Sequence, residues 1–459
     1  MTKGEGKYIY RRICALIFTV VATAMFMFVW HRFVRVNNYT GSLLGKGNLG
    51  MAMIIYAMLF VLVGIGLHAY KIGVDRKSMV MASVVLTAFS TDVIEVLLSM
   101  AITGQFRYFE EFLWRYALLF IAQSIVLSLM AIPMIHIYRR IFPPLQLLEV
   151  YGDYKHGLHH KINDVRFKYH VADMVHYSIP EEELKEKMGN YDAVLINDIP
   201  SHYKNRVLKL CLNYDKRAYL VPKISDIIVR YSEELNIIDT PLFLCRNEGM
   251  SSLESFIKRF FDIVLSGIAL IVLSPILLIT AIAIKLEDGG PVFYRQERCT
   301  INGQRFMILK FRSMIVDAEK DGKPHPAGQK DDRITRVGNV IRALRIDELP
   351  QLINILSGTM SIVGPRPERV EHVEKYTAEI PEFIFRSKMK GGLTGYAQVY
   401  GKYNTTALDK LKLDLIYIMN YSLLLDLQII FETMKIIVQK ESTEGFSEER
   451  IEEMHGGKE

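Results

Sequence analysis

The sequence predicts an α/β membrane protein in three parts: a four-helix transmembrane bundle over residues 1–142, a small α/β domain over 143–250, and a mainly helical domain over 251–459 with a fifth membrane element near 256–286. Three observations predict it. Half of the 459 residues are hydrophobic, and four apolar runs of about 20 residues, the length a helix needs to cross a bilayer core, fill the first part. The middle part turns polar and alternates short β-rich runs with helical stretches. The last part opens on another long apolar run and continues into a block dense in arginine and lysine.

The four runs lie between Arg12 and Arg32, which frame the first, and at 49–69, 79–101 and 113–137. Small residues at 21–24 imitate a signal-peptide cleavage site, but the apolar core is too long and three more spans follow, so the first run is expected to be a retained helix. Lys3, Lys7, Arg11 and Arg12 precede it, Lys71, Arg76 and Lys77 fill the second loop, and Arg139 and Arg140 follow the fourth run. The positive-inside rule then puts both ends of the bundle in the cytoplasm, opposed weakly by Arg32, Arg35 and Lys46. Cys14, Cys211, Cys245 and Cys299 show neither metal-like nor disulfide-like spacing, as expected of a reducing compartment. A net charge of +6 suits a protein held against anionic lipid.

In the middle part, strands are expected at 165–169, 193–196, 218–221 and 242–245, with helices at 181–188 and 203–212 between them. A dinucleotide site needs a Gly-rich turn after the first strand, and only Gly152 is available, so this domain reads as non-catalytic. Gly45, Gly47 and Gly50 do spell G-x-G-x-x-G, but ahead of a membrane helix and with no strand before them. GYAQVYGKY spaces its glycines one residue too far apart for a Walker A loop and ends in tyrosine where Ser or Thr must reach Mg²⁺. An ATP-driven pump is therefore not expected.

The fifth apolar run follows Lys258-Arg259 and ends at Lys285, with Ser274-Pro275 at its middle. Proline removes a backbone donor and frees the carbonyl of Ile271, which the neighbouring serine can help satisfy. Cations at both ends give the charge rule no reason to favour a crossing, so a bent helix that enters and returns on the cytoplasmic face is expected over a kinked span.

Downstream, Asp347 and Glu348 stand side by side two residues before Pro350 and beside Arg342 and Arg345. Proline fits the first turn of a helix, so the acids fall at a helix N-terminus, whose free N–H groups attract anions and keep a carboxylate ionised. An isolated Asp-Glu-Leu-Pro would read as a capping residue and a solvated acid. Here Lys310, Arg312, Arg342, Arg345 and Arg366, with the glycine turns and the GPRP at 364–367, favour a site instead, and guanidinium forks suit a phosphorylated ligand. A nucleic acid would satisfy the same cations, but the block adjoins a membrane helix and has no base-stacking platform. An ionised aspartate among arginines and a divalent metal can attack phosphorus and split one transfer into two steps. Exchanging one pyrophosphate bond for another needs no ATP site.

KRFFDIVLS with its Ser-Pro break, GPVFYRQER, KFRSM, DELPQL-x-N, G-x-MS-x-VGPRP, GLTG-x-AQV and the late Asp414, Tyr417, Ile418, Asn420 and Ser422 together resemble the bacterial sugar transferases, the polyprenyl-phosphate hexose-1-phosphate or monotopic phosphoglycosyl transferases. The match spans residues 254–437, and the layout before it resembles the family's large form, with four transmembrane helices and a Rossmann-like domain. The resemblance implies transfer of a sugar-1-phosphate from a UDP-sugar to undecaprenyl phosphate, with release of UMP, at the cytoplasmic face of the bacterial inner membrane. It implies a role in starting capsular, exopolysaccharide or O-antigen repeats, and it leaves room for a homodimer. By the same resemblance Asp347 is the nucleophile, Glu348 its metal-associated partner, and both face Mg²⁺. Arg342, Arg345, Arg366, Lys310 and Arg312 would then bind substrate, and Ser274-Pro275 would be the break in a re-entrant helix. GLTGYAQVYGKYN departs from the family by a tyrosine and a Gly-Lys pair, so the sugar is not implied.

Other features carry alternatives. Asp92 and Glu95 lie on one face of the third span, as a proton path or as groups hydrogen-bonded inside the bundle or at a dimer interface, and the structural role is preferred. His156, His159 and His160 read as a solvated turn rather than a metal site, and the acidic stretch from Glu441 as a solvated end. A transporter or sensor built on Asp92 and Glu95, and a nucleotide-sugar epimerase or dehydratase built on the α/β domain, are the competing functions.

Overall fold

The computed structural model describes residues 3–37, 44–104, 106–153, 157–163, 167–245, 249–316, 318, 331–401 and 405–437. His156 and the acidic stretch from Glu441 lie outside them. The chain divides into two compact units, Met1–Val221 and Pro222–Glu459.

In the first unit, α1 (Lys3–Val29) continues through a π-helical turn, Trp30–Val34, and is followed by α2 (Lys46–Gly66), α3 (Lys77–Thr103) and α4 (Phe109–Ile141). α1 packs against α2 and α4, and α3 packs against the same two helices. Cys14, Phe18, Ala22, Phe26 and Trp30 recur every four residues and turn one face of α1 inward, while Leu16, Val20 and Phe28 stay exposed. An apolar outer face of this kind suits helices surrounded by lipid. Phe26 stacks on Tyr56 at 4.1 Å between ring centroids.

Asp92 and Glu95 face the interior of these helices, 3% and 4% exposed. The Tyr56 hydroxyl donates to Asp92 Oδ1 at 3.0 Å and accepts from Gln123 Nε2 at 2.9 Å. Tyr56→Phe removes the group that joins Asp92 to Gln123. The expected result is a loss of about 1–3 kcal/mol, read from thermal unfolding in lipid nanodiscs.

The rest of this unit is β1 (Leu145–Tyr151), α5 (Leu158–Asn163), β2 (Tyr169–His176), α6 (Glu181–Gly189), β3 (Ala193–Asn197), α7 (Ser201–Asn213) and β4 (Arg217–Leu220). The strands form one parallel sheet in the order β2-β1-β3-β4. β3, AVLIN, is buried at every position, the pattern of a strand covered on both faces. The expected elements at 181–188, 193–196, 203–212 and 218–221 fall on α6, β3, α7 and β4. The strand expected at 165–169 begins only at Tyr169, and β1 was not foreseen because LQLLEVY has no strict alternation.

The second unit opens with α8 (Ile224–Arg230) and an antiparallel hairpin of β5 (Glu233–Ile237) and β6 (Thr240–Leu244). The run expected at 242–245 thus belongs to a separate hairpin and not to the parallel sheet. α9 (Ser252–Asp288) starts at a capping box in which Ser251 and Glu254 exchange hydrogen bonds, and it stops at Gly289 with φ +72°. It runs as one helix through Pro275, and Ser274 Oγ donates to the freed Ile271 carbonyl at 2.7 Å. β7 (Phe293–Cys299) and β8 (Arg305–Phe311) form a second antiparallel hairpin. After them come α10 (Arg336–Ala343), α11 (Gln351–Ser357), β9 (Ser361–Val363), α12 (Val370–Glu379), β10 (Gly392–Thr394) parallel to β9, α13 (Tyr396–Tyr400), α14 (Ala407–Met419) and α15 (Leu423–Ile437). Five helices, α1 to α4 and α9, are long and apolar enough to cross a membrane.

Candidate active site

The site is built where α10 gives way to α11. Arg345 takes a left-handed conformation, φ 57°, and breaks the chain into a 3-10 turn, Ile346–Glu348, which carries both acids. Pro350 follows as the residue that precedes α11, one position earlier than the first-turn placement expected, and neither the turn nor α11 has a side-chain cap. Asp347 therefore does not serve as the cap of this helix.

α11 is fixed through its C-terminal half. Arg259 of α9 donates to the carbonyls of Ile355 at 2.5 Å and Leu356 at 2.7 Å, the free acceptors of the last turn. Asn354 donates to Met307 O at 2.9 Å and accepts from Leu309 N at 2.9 Å, so its amide takes the place of a neighbouring strand beside β8. Lys310 follows directly along β8. Its ammonium donates to Glu348 Oε1 at 2.9 Å.

The same oxygen accepts from Arg366 Nη2 at 2.8 Å, and Arg345 Nη1 lies 3.7 Å from Oε2. Burial alone would push the Glu348 carboxyl up, but Arg366, Lys310 and Arg345 outweigh it and hold it well below the usual carboxylate range. Burial lowers the Lys310 ammonium, with Glu348 opposing. Asp347 behaves differently. Burial first and then Glu348 raise its carboxyl, against Lys310, Arg342 and Arg345, and no protein donor binds it among the described residues. One acid is thus gripped by cations, and its neighbour keeps its oxygens available.

The structure brings Lys310, Arg342, Arg345 and Arg366 to the two acids. Arg312 is found elsewhere: it is buried and its partner is Asp288 at the end of α9. Ser274 and Pro275 lie inside α9. Arg386 was not foreseen, nor was the partnership of Lys258 with Asp426. Arg259, Asp262, Asn354 and Asp414 stood in the quoted motifs, but their partners are far away in sequence and gave no local signal.

The donor set accommodates Mg²⁺. Among the described residues no group of three or more His, Cys, Asp or Glu side chains is placed to hold a metal. Mg²⁺ needs less from a protein, because it binds through one or two carboxylates and takes its remaining oxygens from water and substrate phosphates. Asp347 and Glu348 are the two carboxylates of the site that would hold it.

The profile of the bacterial sugar transferases matches residues 253–440. An Aeromonas hydrophila UDP-N-acetylgalactosamine-undecaprenyl-phosphate N-acetylgalactosaminephosphotransferase is 35% identical over 326 residues, 69% of this chain and 72% of that protein. A Klebsiella pneumoniae UDP-glucose:undecaprenyl-phosphate glucose-1-phosphate transferase is 41% identical over 215 residues, 46% of this chain and 45% of that protein. The exopolysaccharide production protein ExoY of Sinorhizobium fredii is 41% identical over 194 residues, 39% of this chain and 84% of that protein. The chain belongs to the bacterial sugar transferase family. It is a membrane protein and a phosphoglycosyl transferase.

Proposed function

We propose that the protein transfers a sugar-1-phosphate from a UDP-sugar to undecaprenyl phosphate, giving undecaprenyl-diphosphate-sugar and UMP, and so starts a capsular, exopolysaccharide or O-antigen repeat. The observation that carries this reading is the pair of unlike acids, Glu348 gripped by Lys310 and Arg366 beside an Asp347 that no protein donor occupies among the described residues. An Asp347 oxygen attacks the phosphorus that bears the sugar. The bond to the bridging oxygen breaks, and UMP leaves with that electron pair. The acyl phosphate that results is then attacked by a phosphate oxygen of the lipid, which frees the carboxylate. Arg342, Arg345, Arg366 and Lys310 hold the phosphate oxygens and oppose their growing charge. Asp347 and Glu348 would hold Mg²⁺, which, when bound, supplies charge neutralisation at the phosphates.

The architecture suited to this reaction is a four-helix membrane bundle, a Rossmann-like domain without a catalytic role, and a catalytic domain whose α9 enters and leaves the inner membrane on the cytoplasmic face. Contacts of α9 support the last point. At its start, Lys258 bonds to Asp426, and Asp262 accepts from Ser361 Oγ at 3.1 Å and Ile362 N at 2.9 Å. At its end, Glu287 accepts from Arg336 N at 2.7 Å and Asp288 pairs with Arg312. Between them Leu270, Leu273, Leu277 and Ala281 pack on Phe306, Ile308, Phe311 and Ile341. A helix bonded to one folded unit at both ends keeps both ends on one side. With the native cysteines replaced by serine, Ser252→Cys and Gly289→Cys should both react with an impermeant maleimide from the cytoplasmic side only; labelling of one from the outside would make α9 a span.

The test of function is UMP release by the purified protein with Mg²⁺ and a panel of UDP-sugars, with and without undecaprenyl phosphate. Lipid-dependent release with one sugar is expected. Folded protein that releases none would end this reading.

A further inference from the structure

We infer that Arg386 and Asp414 are positioning residues for the transfer, acting through the backbone of the loop that carries Arg366; the inference rests on the phosphate-binding role given to Arg366 above. The loop leaves β9 as Gly364-Pro365-Arg366-Pro367-Glu368. Two of these residues are prolines with no N–H to offer, so the loop cannot secure itself by pairing as a strand.

Apart from the Gly364 N–H, which donates to Thr394 O at 2.9 Å, it is held through its acceptors. Four consecutive carbonyls each receive a donor from elsewhere in the chain: Pro365 O from Gly392 N at 2.9 Å, Arg366 O from Arg386 Nη2 at 3.1 Å, Pro367 O from Arg298 Nη1 at 3.2 Å, and Glu368 O from Cys299 N at 3.0 Å. The outer two donors are backbone groups of β10 and β7. The inner two, at Arg366 and its neighbour, are arginine side chains.

Arg386 itself is held in turn. It is 7% exposed, in the 3-10 turn Pro381–Lys388, and its Nε meets Asp414 Oδ2 of α14 at 2.5 Å. Asp414 is fully buried, and its second oxygen has no hydrogen-bond partner among the described residues. Burying an ion pair that is imperfectly satisfied is a poor way to gain stability, and an apolar pair of similar volume would often serve as well or better. A fixed guanidinium beneath Arg366 offers something an apolar pair cannot, namely a donor for the Arg366 carbonyl. Beyond the loop, Glu368 accepts from Lys410 at 2.8 Å and lies 3.9 Å from Arg386 Nη1, which holds the exit from the loop to the same pair.

The chain of contacts then runs Asp414, Arg386, the Arg366 carbonyl, the Arg366 guanidinium and Glu348. An Arg366 fixed at its own carbonyl meets the phosphoryl oxygens without reorganising, which is the condition under which a positioned cation lowers a barrier. Losing the brace lets the loop drift, and a misplacement of about 1 Å can cost on the order of 100-fold in rate.

The experiment is a double-mutant cycle on the full chain in nanodiscs, following lipid-dependent UMP release. Arg386→Lys keeps a cation but not the fork that serves Asp414 and the carbonyl together, and Asp414→Asn keeps the volume. Each is expected to lower kcat about 10–100-fold and to leave KM for the UDP-sugar within about threefold. Added to Arg366→Ala, either is expected to cost nothing further, because the brace has no guanidinium left to aim. A double variant that multiplies the two defects, or a folded single variant with wild-type kcat, overturns the inference. If Arg386→Lys fails to fold, Asp414→Asn carries the cycle alone. Wild-type protein that releases no UMP would instead overturn the reading beneath, so the two failures are told apart.

Discussion

Asp347→Asn is expected to reduce turnover by about three orders of magnitude or more while leaving the fold intact. An amide has the size of the carboxylate but no anionic oxygen with which to attack phosphorus. Because no protein donor binds Asp347 among the described residues, the substitution breaks no hydrogen bond seen there, and thermal unfolding should match the wild type. Glu348→Gln makes the useful contrast. It keeps an acceptor for Lys310 and Arg366 but removes the charge that pairs with them, so both activity and stability should fall. UMP release and unfolding measured on the same two preparations check this. An Asp347→Asn protein with normal turnover, or one that loses stability as Glu348→Gln does, would make Asp347 a structural residue.

Asp426→Ala is expected to cost about 3–5 kcal/mol, the largest stability effect of any single substitution considered. Lys258 Nζ lies 2.5 Å from Asp426 Oδ2, both residues are buried, and the Tyr417 hydroxyl donates to Asp426 Oδ1 at 2.7 Å. Truncating the acid leaves the buried ammonium with the Tyr417 hydroxyl at 3.3 Å and the phenol with the Val363 carbonyl at 3.2 Å, neutral groups that do not replace the lost charge. Replacing both charges, as Lys258→Met with Asp426→Leu, should recover most of the loss, because apolar pairs of similar volume substitute well for buried ion pairs. Chemical denaturation in detergent micelles separates the cases. A loss below about 1 kcal/mol in the single variant would place the pair among weak surface bridges.

The acids were legible because their signal is local: two carboxylates before Pro350, with Arg342 and Arg345 within five residues. The helical membrane runs were legible for the same reason, since length and apolarity suffice. β3 could be read from AVLI, but the run at 242–245 could not be assigned to its hairpin, because a short apolar strand does not state its partner. Arg312 shows the limit within a motif. It stands two residues from Lys310, where strand alternation alone would put both on one face, but β8 ends at Phe311, and beyond the strand Arg312 meets Asp288 while Lys310 meets Glu348. The supports of the site were illegible in principle. Lys258 and Asp426 lie 168 residues apart, and Arg386 reaches Asp414 and Arg366 across 28 and 20. No pattern within one helix or strand encodes such pairs, although Asp414 itself stands in a motif.

The central claim, that Asp347 carries the phosphosugar between donor and lipid, is tested most directly by mass spectrometry of the wild-type protein mixed with its UDP-sugar and Mg²⁺ in the absence of undecaprenyl phosphate. The predicted result is a peptide spanning Asp347 heavier by one phosphosugar, absent from Asp347→Asn and lost when the lipid is added. Lipid-dependent UMP release from protein whose Asp347 peptide never gains that mass would contradict it and require direct transfer from donor to acceptor.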